Sequence, residues 1–326
     1  MTDVARVAGV SHQTVSRVIN EHPNVAQSTR LRVLAAIAEL GFRPNRAARS
    51  LVTGRTDVLG VVAQASTLFG PSNMLAALDH AASLQGFTVS MANLRTVDRE
   101  SISEAINRHL DHRVSGIIVI APVDGAAEAV EELALRVPLV MIDGAADVSA
   151  SLVRVDQQEG ARLATQHLLD AGHQTVWHVA GPSDWLDASG RLDGWRRTLQ
   201  AAGAEVPPTL AADWSAASGY QAGLMLARMP EVTAVFTAND HQALGVLRAL
   251  AERGRRVPED ISIVGFDDVP EASFYIPPLT TIRPNFPELA ACALRALLEQ
   301  MQTDDAVRTT HAVAPVLVTR ASVSAR

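Results

Sequence analysis

The sequence predicts an α/β protein in which a small all-α headpiece with a helix-turn-helix precedes two doubly wound parallel-sheet lobes. Three observations carry this. Charge is divided along the chain: the first 55 residues hold eight Arg against three acids, and the remaining 271 hold twenty Arg against thirty-two acids. Between Thr2 and Asn20, two short helical stretches flank a turn at Gly9. From Val58 onward, short and mostly apolar runs alternate with amphipathic helical stretches, the pattern of strands buried on both faces by helices.

In the headpiece, Thr2 is placed to cap a helix over 3–8, and Ser11 to cap a second helix over 12–20. Pro23 and Asn24 break the pattern before a third helix, whose Leu31, Leu34, Ile37, Ala38 and Leu40 recur near the helical period, with Gly41 as its stop. Val4, Ala5, Val10, Val15, Val18 and Leu34 are the expected shared core. Residues 45–52 are rich in Arg and Ala and too few to form a stable isolated helix, so they read as a linker that folds on contact.

The body reads as strands over 58–62, 88–92, 116–120 and 139–142, with helices over 75–84, 102–110 and 126–135 between them. A second set starts near Val153, with strands over 175–179, 234–237 and 261–264 and helices over 160–169, 191–201, 220–229 and 242–251. Two such sets imply two lobes with a cleft between them. A helix over 289–298 and strands over 312–318 are expected to cross back between the lobes.

Composition excludes several classes. No run of eighteen apolar residues exists, so no membrane span is expected, and no secretory leader is visible at the N-terminus. Cys292 is the single cysteine and reads as a buried thiol in a helix, which fits a reducing cytoplasm. All 28 basic residues are Arg, which removes nucleotide-loop, Schiff-base and kinase lysines together. His109 and His112 lack an evident third ligand and no metal or catalytic motif occurs, so no cofactor is expected.

The second headpiece helix carries the sharpest chemistry. His12, Gln13 and Arg17 share its polar face, where Gln suits adenine and Arg suits guanine in a major groove. Thr14, Ser16 and Asn20 are short polar groups suited to phosphates. Taken alone, the same face also fits a solvated surface on a protein-binding domain.

The stretches Asp3-Val4-Ala5, Ala8-Gly9-Val10-Ser11 and Thr14-Val15-Ser16-Arg17-Val18-Ile19-Asn20 resemble the DNA-binding signature of the lactose-repressor (LacI/GalR) family. Arg43-Pro44-Asn45-Arg46-Ala47-Ala48-Arg49-Ser50-Leu51 resembles its hinge. Asp213-Trp214-Ser215, Ala238-Asn239-Asp240, Gly265-Phe266-Asp267-Asp268 and Tyr275-Ile276-Pro277-Pro278-Leu279-Thr280-Thr281-Ile282 are similar to its lactose-responsive branch. The resemblance implies a headpiece over 1–44 that reads double-stranded operator DNA and a hinge helix and linker over 45–56. It also implies an effector-binding and dimerisation domain over 57–326, built like a periplasmic sugar-binding protein. It further implies hinge contacts from Asn45, Ala48 and Leu51, with Leu51 wedged into the minor groove.

For the body, the resemblance implies a sugar site, with a galactoside as the first guess. Its polar groups are Asp143, Arg191 (read as opening a helix), Asn239 and Asp267; three of these four follow predicted strands, where open α/β sheets gather ligand groups. Trp214 offers a flat face to a pyranose, and Leu68, Pro71, Met74 and Phe286 form apolar walls. Asp268 is expected to cap or orient its neighbour rather than touch the ligand.

Four departures from the family pattern stand out. Ala26 replaces a capping hydroxyl, Pro284 an amide and Asp187 a small hydroxyl, and the chain stops at Arg326 without a tetramerising heptad tail. The expected assembly is therefore a homodimer. The sequence leaves two rival readings: a sugar-binding protein without regulation, and a glycoside-modifying enzyme with Asp143 and Asp267 as a carboxylate pair.

Overall fold

The computed structural model describes residues 1–19, 22–42, 56–121, 130, 137–144, 150–302 and 308–326. The chain divides into two units, Met1–Asp57 and Val58–Arg326.

In the first unit, α1 (Thr2–Ala8) is followed by α2 (His12–Ile19) and α3 (Gln27–Glu39). Gly9 sits in the left-handed region at φ 61°, which lets its N–H and that of Val10 close the last carbonyls of α1. The Ser11 hydroxyl accepts from the Thr14 N–H at 3.1 Å and caps α2 as expected. Thr2, in contrast, is the first helical residue of α1, and Met1 occupies the cap without a side-chain bond. Ala26 precedes α3, also without a side-chain cap.

The core of this unit is Val4, Ala5, Ala8, Val15, Val18, Val33 and Ala36. Leu34 is not in it: Leu34 is 48 % exposed, with Leu31 and Leu40 also exposed. The buried stripe of α3 runs through Val33 and Ala36, whose smaller side chains let three short helices approach closely. Leucines at that contact would hold them apart.

The second unit contains two six-stranded sheets. The first has the strand order β11-β5-β4-β3-β1-β2, formed by β1 (Val58–Gln64), β2 (Thr88–Leu94), β3 (Gly116–Ile120), β4 (Leu139–Ile142), β5 (Ser151–Val155) and β11 (Thr310–Val313). The second has the order β12-β10-β9-β8-β6-β7. Its strands are β6 (Trp177–Ala180), β7 (Leu210–Ala211), β8 (Ala234–Thr237), β9 (Ser262–Phe266), β10 (Thr280–Arg283) and β12 (Val316–Val318). All described pairings are parallel except β10 with β12.

Helices α4 (Phe69–Leu84), α5 (Arg99–Asp111) and α10 (Phe286–Gln302) cover the first sheet, and α6 (Gln157–Asp170), α7 (Leu186–Ala201), α8 (Ala216–Leu226) and α9 (Asp240–Glu252) the second. The expected helix over 126–135 falls almost wholly outside the described residues. Among these, no helix is long and apolar enough to cross a membrane.

The chain passes between the lobes three times: from β5 into α6, from β10 into α10, and from β11 into β12. The second lobe therefore begins at α6, not near Val153, because β5 is hydrogen-bonded between β4 and β11. β10 is a strand that apolar patterning misses. Thr280 and Thr281 are fully buried there, with hydroxyls bonded to the Arg320 N–H and the Asp240 carboxylate.

His109 is buried, with its Nε2 3.4 Å from the Val61 carbonyl oxygen. Cys292 is only half-buried on α10, where its thiol meets Glu288 and Arg295.

Helices α8 and α9 cross with almost no side chain between them. A Cβ on Gly245 would overlap the Ala216 carbonyl oxygen and the Tyr220 nitrogen, both backbone atoms of α8. Gly245→Ala should therefore separate two helices that cover the second sheet and destabilise the body by about 1–3 kcal/mol. Thermal or denaturant unfolding measures this, and an unchanged midpoint would contradict the packing.

Candidate functional site

Two surfaces gather the residues with chemistry. On α2, His12, Gln13 and Arg17 are exposed, while Thr14 and Ser16 are half-buried. The Thr14 hydroxyl lies 2.9 Å from that of Ser11, so it is shared between the cap and any outside partner. Val15 and Val18 turn inward from the same helix, which holds the polar face outward. Asn20, Asn45, Ala48 and Leu51 lie outside the described residues.

The second surface is the cleft between the lobes. Two adjoining cavities of about 30 Å³ each share Gly70, Pro71, Asp187, Arg191 and Asp267 in their walls. Leu68, Trp214 and Asn239 line one; Met74, Asp143 and Phe286 line the other. The nine body residues singled out from the sequence thus converge, although they come from seven separate segments. Each cavity has room for about two waters.

The first lobe contributes its apolar side through the start of α4, where Leu68 precedes the helix and Pro71 and Met74 occupy its first turns. Phe286 opens α10 and meets Phe69 edge-on at 6.4 Å. Asp143 follows β4 at φ 54° and accepts from the Val155 N–H at 3.0 Å, tying the end of β4 to the first crossing strand.

The second lobe supplies the remainder. Arg191 is the sixth residue of α7 rather than its first, because the helix starts at Leu186. The residue is only 5 % exposed. Nε donates to the Gln157 side-chain oxygen at 2.9 Å, Nη1 donates to the Ala238 carbonyl, and Nη2 stands 3.7 Å from an Asp267 carboxylate oxygen. The guanidinium carbon lies 3.7 Å from the Phe266 ring centre and 5.5 Å from that of Trp214, in cation–π range of both. Trp185 meets Trp214 edge-on at 5.5 Å.

Asn239 caps α9 in a capping box: its Oδ1 accepts from the Gln242 N–H at 2.8 Å, and its Nδ2 donates to the Trp214 carbonyl at 3.0 Å. That leaves one amide hydrogen and one lone pair for a ligand.

Asp267 stands at φ 104° and Asp268 at φ 53°, backbone states that cost non-glycine residues roughly 1–3 kcal/mol each. The turn is held because Asp268 pairs with Arg283 and Arg320, and the buried Asp240 accepts from the Val269 N–H and the Thr281 hydroxyl. Asp268 is thus held by two guanidinium groups beside Asp267.

Sequence reasoning missed Trp185 and Gln157, and it read Asp187 only as a departure. Trp185 and Asp187 flank the start of α7, which the strand-helix pattern placed too late. Gln157 reaches the cleft only because the chain crosses between lobes at that point.

Desolvation dominates the electrostatics. Burial pushes the Asp267 carboxyl up to about 6; Arg191 pulls against this and Asp187 adds to it. Burial and then Asp187 hold Asp143 well above the usual carboxylate range, while Asp187 itself is raised by burial against the pull of Arg191.

A raised carboxyl binds its proton more tightly in the folded than in the unfolded chain, so its contribution to stability falls as pH rises from 3.8 through about 6. Wild type should therefore gain stability relative to Asp267→Asn when pH is lowered from about 7 to about 5. His173 and His178, held at about 4 by burial, drift oppositely but equally in both proteins. Paired thermal melts at the two pH values test this; a constant difference between the proteins would refute it.

The geometry has counterparts in known proteins. The model for bacterial regulatory proteins of the lacI family matches residues 1–45, and that for a periplasmic binding protein-like domain matches 165–323. The lactose operon repressor of Escherichia coli (strain K12) is 38 % identical over 302 residues, covering 92 % of this chain and 84 % of the relative. A crystal structure of the lac repressor dimer bound to operator and the anti-inducer ONPF superposes with a TM-score of 0.87 at 37 % identity, over 99 % of this chain and 98 % of that one. A complex of the transcriptional regulator CelR with cellobiose gives 0.73 at 32 % identity, over 98 % of both chains. With a regulatory helix-turn-helix at one end, a periplasmic-type body at the other and a repressor relative matched over 92 % of this chain, the chain belongs to the lacI family of bacterial regulatory proteins.

Proposed function

We propose that the protein is a sequence-specific repressor of sugar-utilisation genes that binds operator DNA as a homodimer in the cytoplasm and is released by a saccharide. Galactosides are the first compounds to screen. Membership of a family of repressors speaks against the glycoside-modifying reading and supports one in which Asp143 and Asp267 serve recognition.

The observation that carries the effector half is the cleft, whose two adjoining cavities are lined by Arg191, Asn239, Asp143 and Asp267 together with Trp214, Leu68, Pro71, Met74 and Phe286. Donors and acceptors beside flat apolar surfaces match the hydroxyl and C–H faces of a sugar.

For the DNA half, His12, Gln13 and Arg17 read base edges, while Thr14, Ser16 and Asn20 meet phosphates. Asn45, Ala48 and Leu51 act from the hinge over 45–56, between the headpiece of 1–44 and the body of 57–326. Phe274 and Ile276, 83 % and 93 % exposed on the second lobe, support packing against another copy. Two headpieces on a twofold axis would read a pseudo-palindrome. The saccharide acts by binding open and closed lobes with different affinity, which shifts the population competent for operator.

Gel-shift or anisotropy measurements with the encoded upstream region, titrated with saccharides, test the whole reading. Arg17→Ala should lose about 1–3 kcal/mol of discrimination at one base pair, measured against single-base operator variants; uniform weakening would exclude base readout. Arg191→Ala should abolish release of operator by the cognate saccharide, and a normal response would remove Arg191 from the site.

A further inference from the structure

The charges around the cleft do not balance. Asp143, Asp187 and Asp267 line the same cavity, and Arg191 is the one basic residue in its wall among the described residues. Arg191 is already committed to its own lobe, through Gln157, the Ala238 carbonyl and Asp267.

That leaves Asp143 at the end of β4 in the first lobe and Asp187 at the start of α7 in the second. Both also line a neighbouring void of about 200 Å³. Its other charged wall residues are Asp156, which caps α6, and Arg154, whose side chain is exposed to solvent. Asp143 and Asp187 thus line the same walls from opposite lobes, and among the described residues Arg191 acts on both while the exposed Arg154 acts on Asp143. Burial raises both, Asp187 adds to the rise at Asp143, and Arg191 pulls against it at each, so an ion pair with a ligand would relieve both.

A second and independent observation concerns a donor. The Trp214 indole N–H, in the wall of the adjoining cavity, is buried without an acceptor among the described residues. A ligand that satisfies the cleft therefore brings a hydroxyl oxygen as acceptor and a positive charge.

We propose that the effector is an amino sugar, a saccharide whose protonated amine sits between Asp143 and Asp187. This rests on the saccharide-responsive reading above and narrows it. The ammonium is the contact that joins the lobes: each carboxylate belongs to a different lobe, so the cation turns their repulsion into a bridge.

The test uses the full chain at neutral pH in calorimetric titrations with galactosamine and glucosamine, their uncharged parents galactose and glucose, and their N-acetylated forms. An amino sugar should bind roughly tenfold or more tightly than both its counterparts. The preference should collapse in Asp187→Asn and in Asp143→Asn, with thermal melts reporting that each variant is folded. Equal affinity for charged and uncharged sugars, or a preference that survives both substitutions, overturns the amino-sugar assignment and leaves the sugar-released repressor standing. Failure of all six sugars to bind, with specific operator binding intact, overturns both.

Discussion

A guanidinium withdrawn from water costs several kcal/mol unless its charge and N–H groups are met on all sides, and Arg191 is withdrawn almost completely. Its partners explain much of the body. Gln157 stands where the chain first crosses between lobes, the Ala238 carbonyl ends the segment after β8, and Asp267 ends the segment after β9. Phe266 and Trp214 supply the ring faces. One side chain thus ties α7, two strand ends and a crossing segment into a single surface. The left-handed turn at Asp267 and Asp268 persists because Arg283, Arg320 and Asp240 hold it from outside.

The same polar economy reaches into the second sheet. Asp240 is fully buried and raised well above its usual range, first by burial and then by Asp267, yet both of its oxygens accept hydrogen bonds. Buried carboxylates that are satisfied in this way fix one arrangement of the strand ends, since any shift would leave them unpaired. The first lobe offers the cleft mainly apolar surface together with Asp143. The second lobe therefore supplies most of the cleft's polar groups, and the first most of its apolar wall. A two-lobed body with three crossing segments is suited to this, because lobe separation changes the enclosure without dismantling the Arg191 surface.

In the headpiece the controlling constraint is size. Three short helices share seven small or medium apolar side chains, and the charged and polar faces are what remain outside. Ser11 and Gly9 terminate α2 and α1 so closely together that the exposed face of α2 starts at His12. Leu31 and Leu34 illustrate how little room there is: both would fit a helical period, and both are excluded from the core.

By itself the sequence determined the parts governed by local chemistry. Apolar strand runs located β3, β4 and β8 almost to the residue, the Gly9 and Ser11 pair located the turn of the headpiece, and signature stretches at Asn239 and Asp267 pointed to strand ends in a cleft. Only the tertiary structure decided what depends on non-local pairing. β5 joins the first sheet because β4 and β11 lie on either side of it, and β10 survives with two buried threonines because Asp240 and Arg320 satisfy their hydroxyls. Asp187 becomes more than a substitution only when folding brings it to the cleft wall opposite Asp143. The reason is physical: periodicity and capping are set by neighbours within one helical turn or strand step. The cost of burying a charge is set by groups that arrive from distant segments.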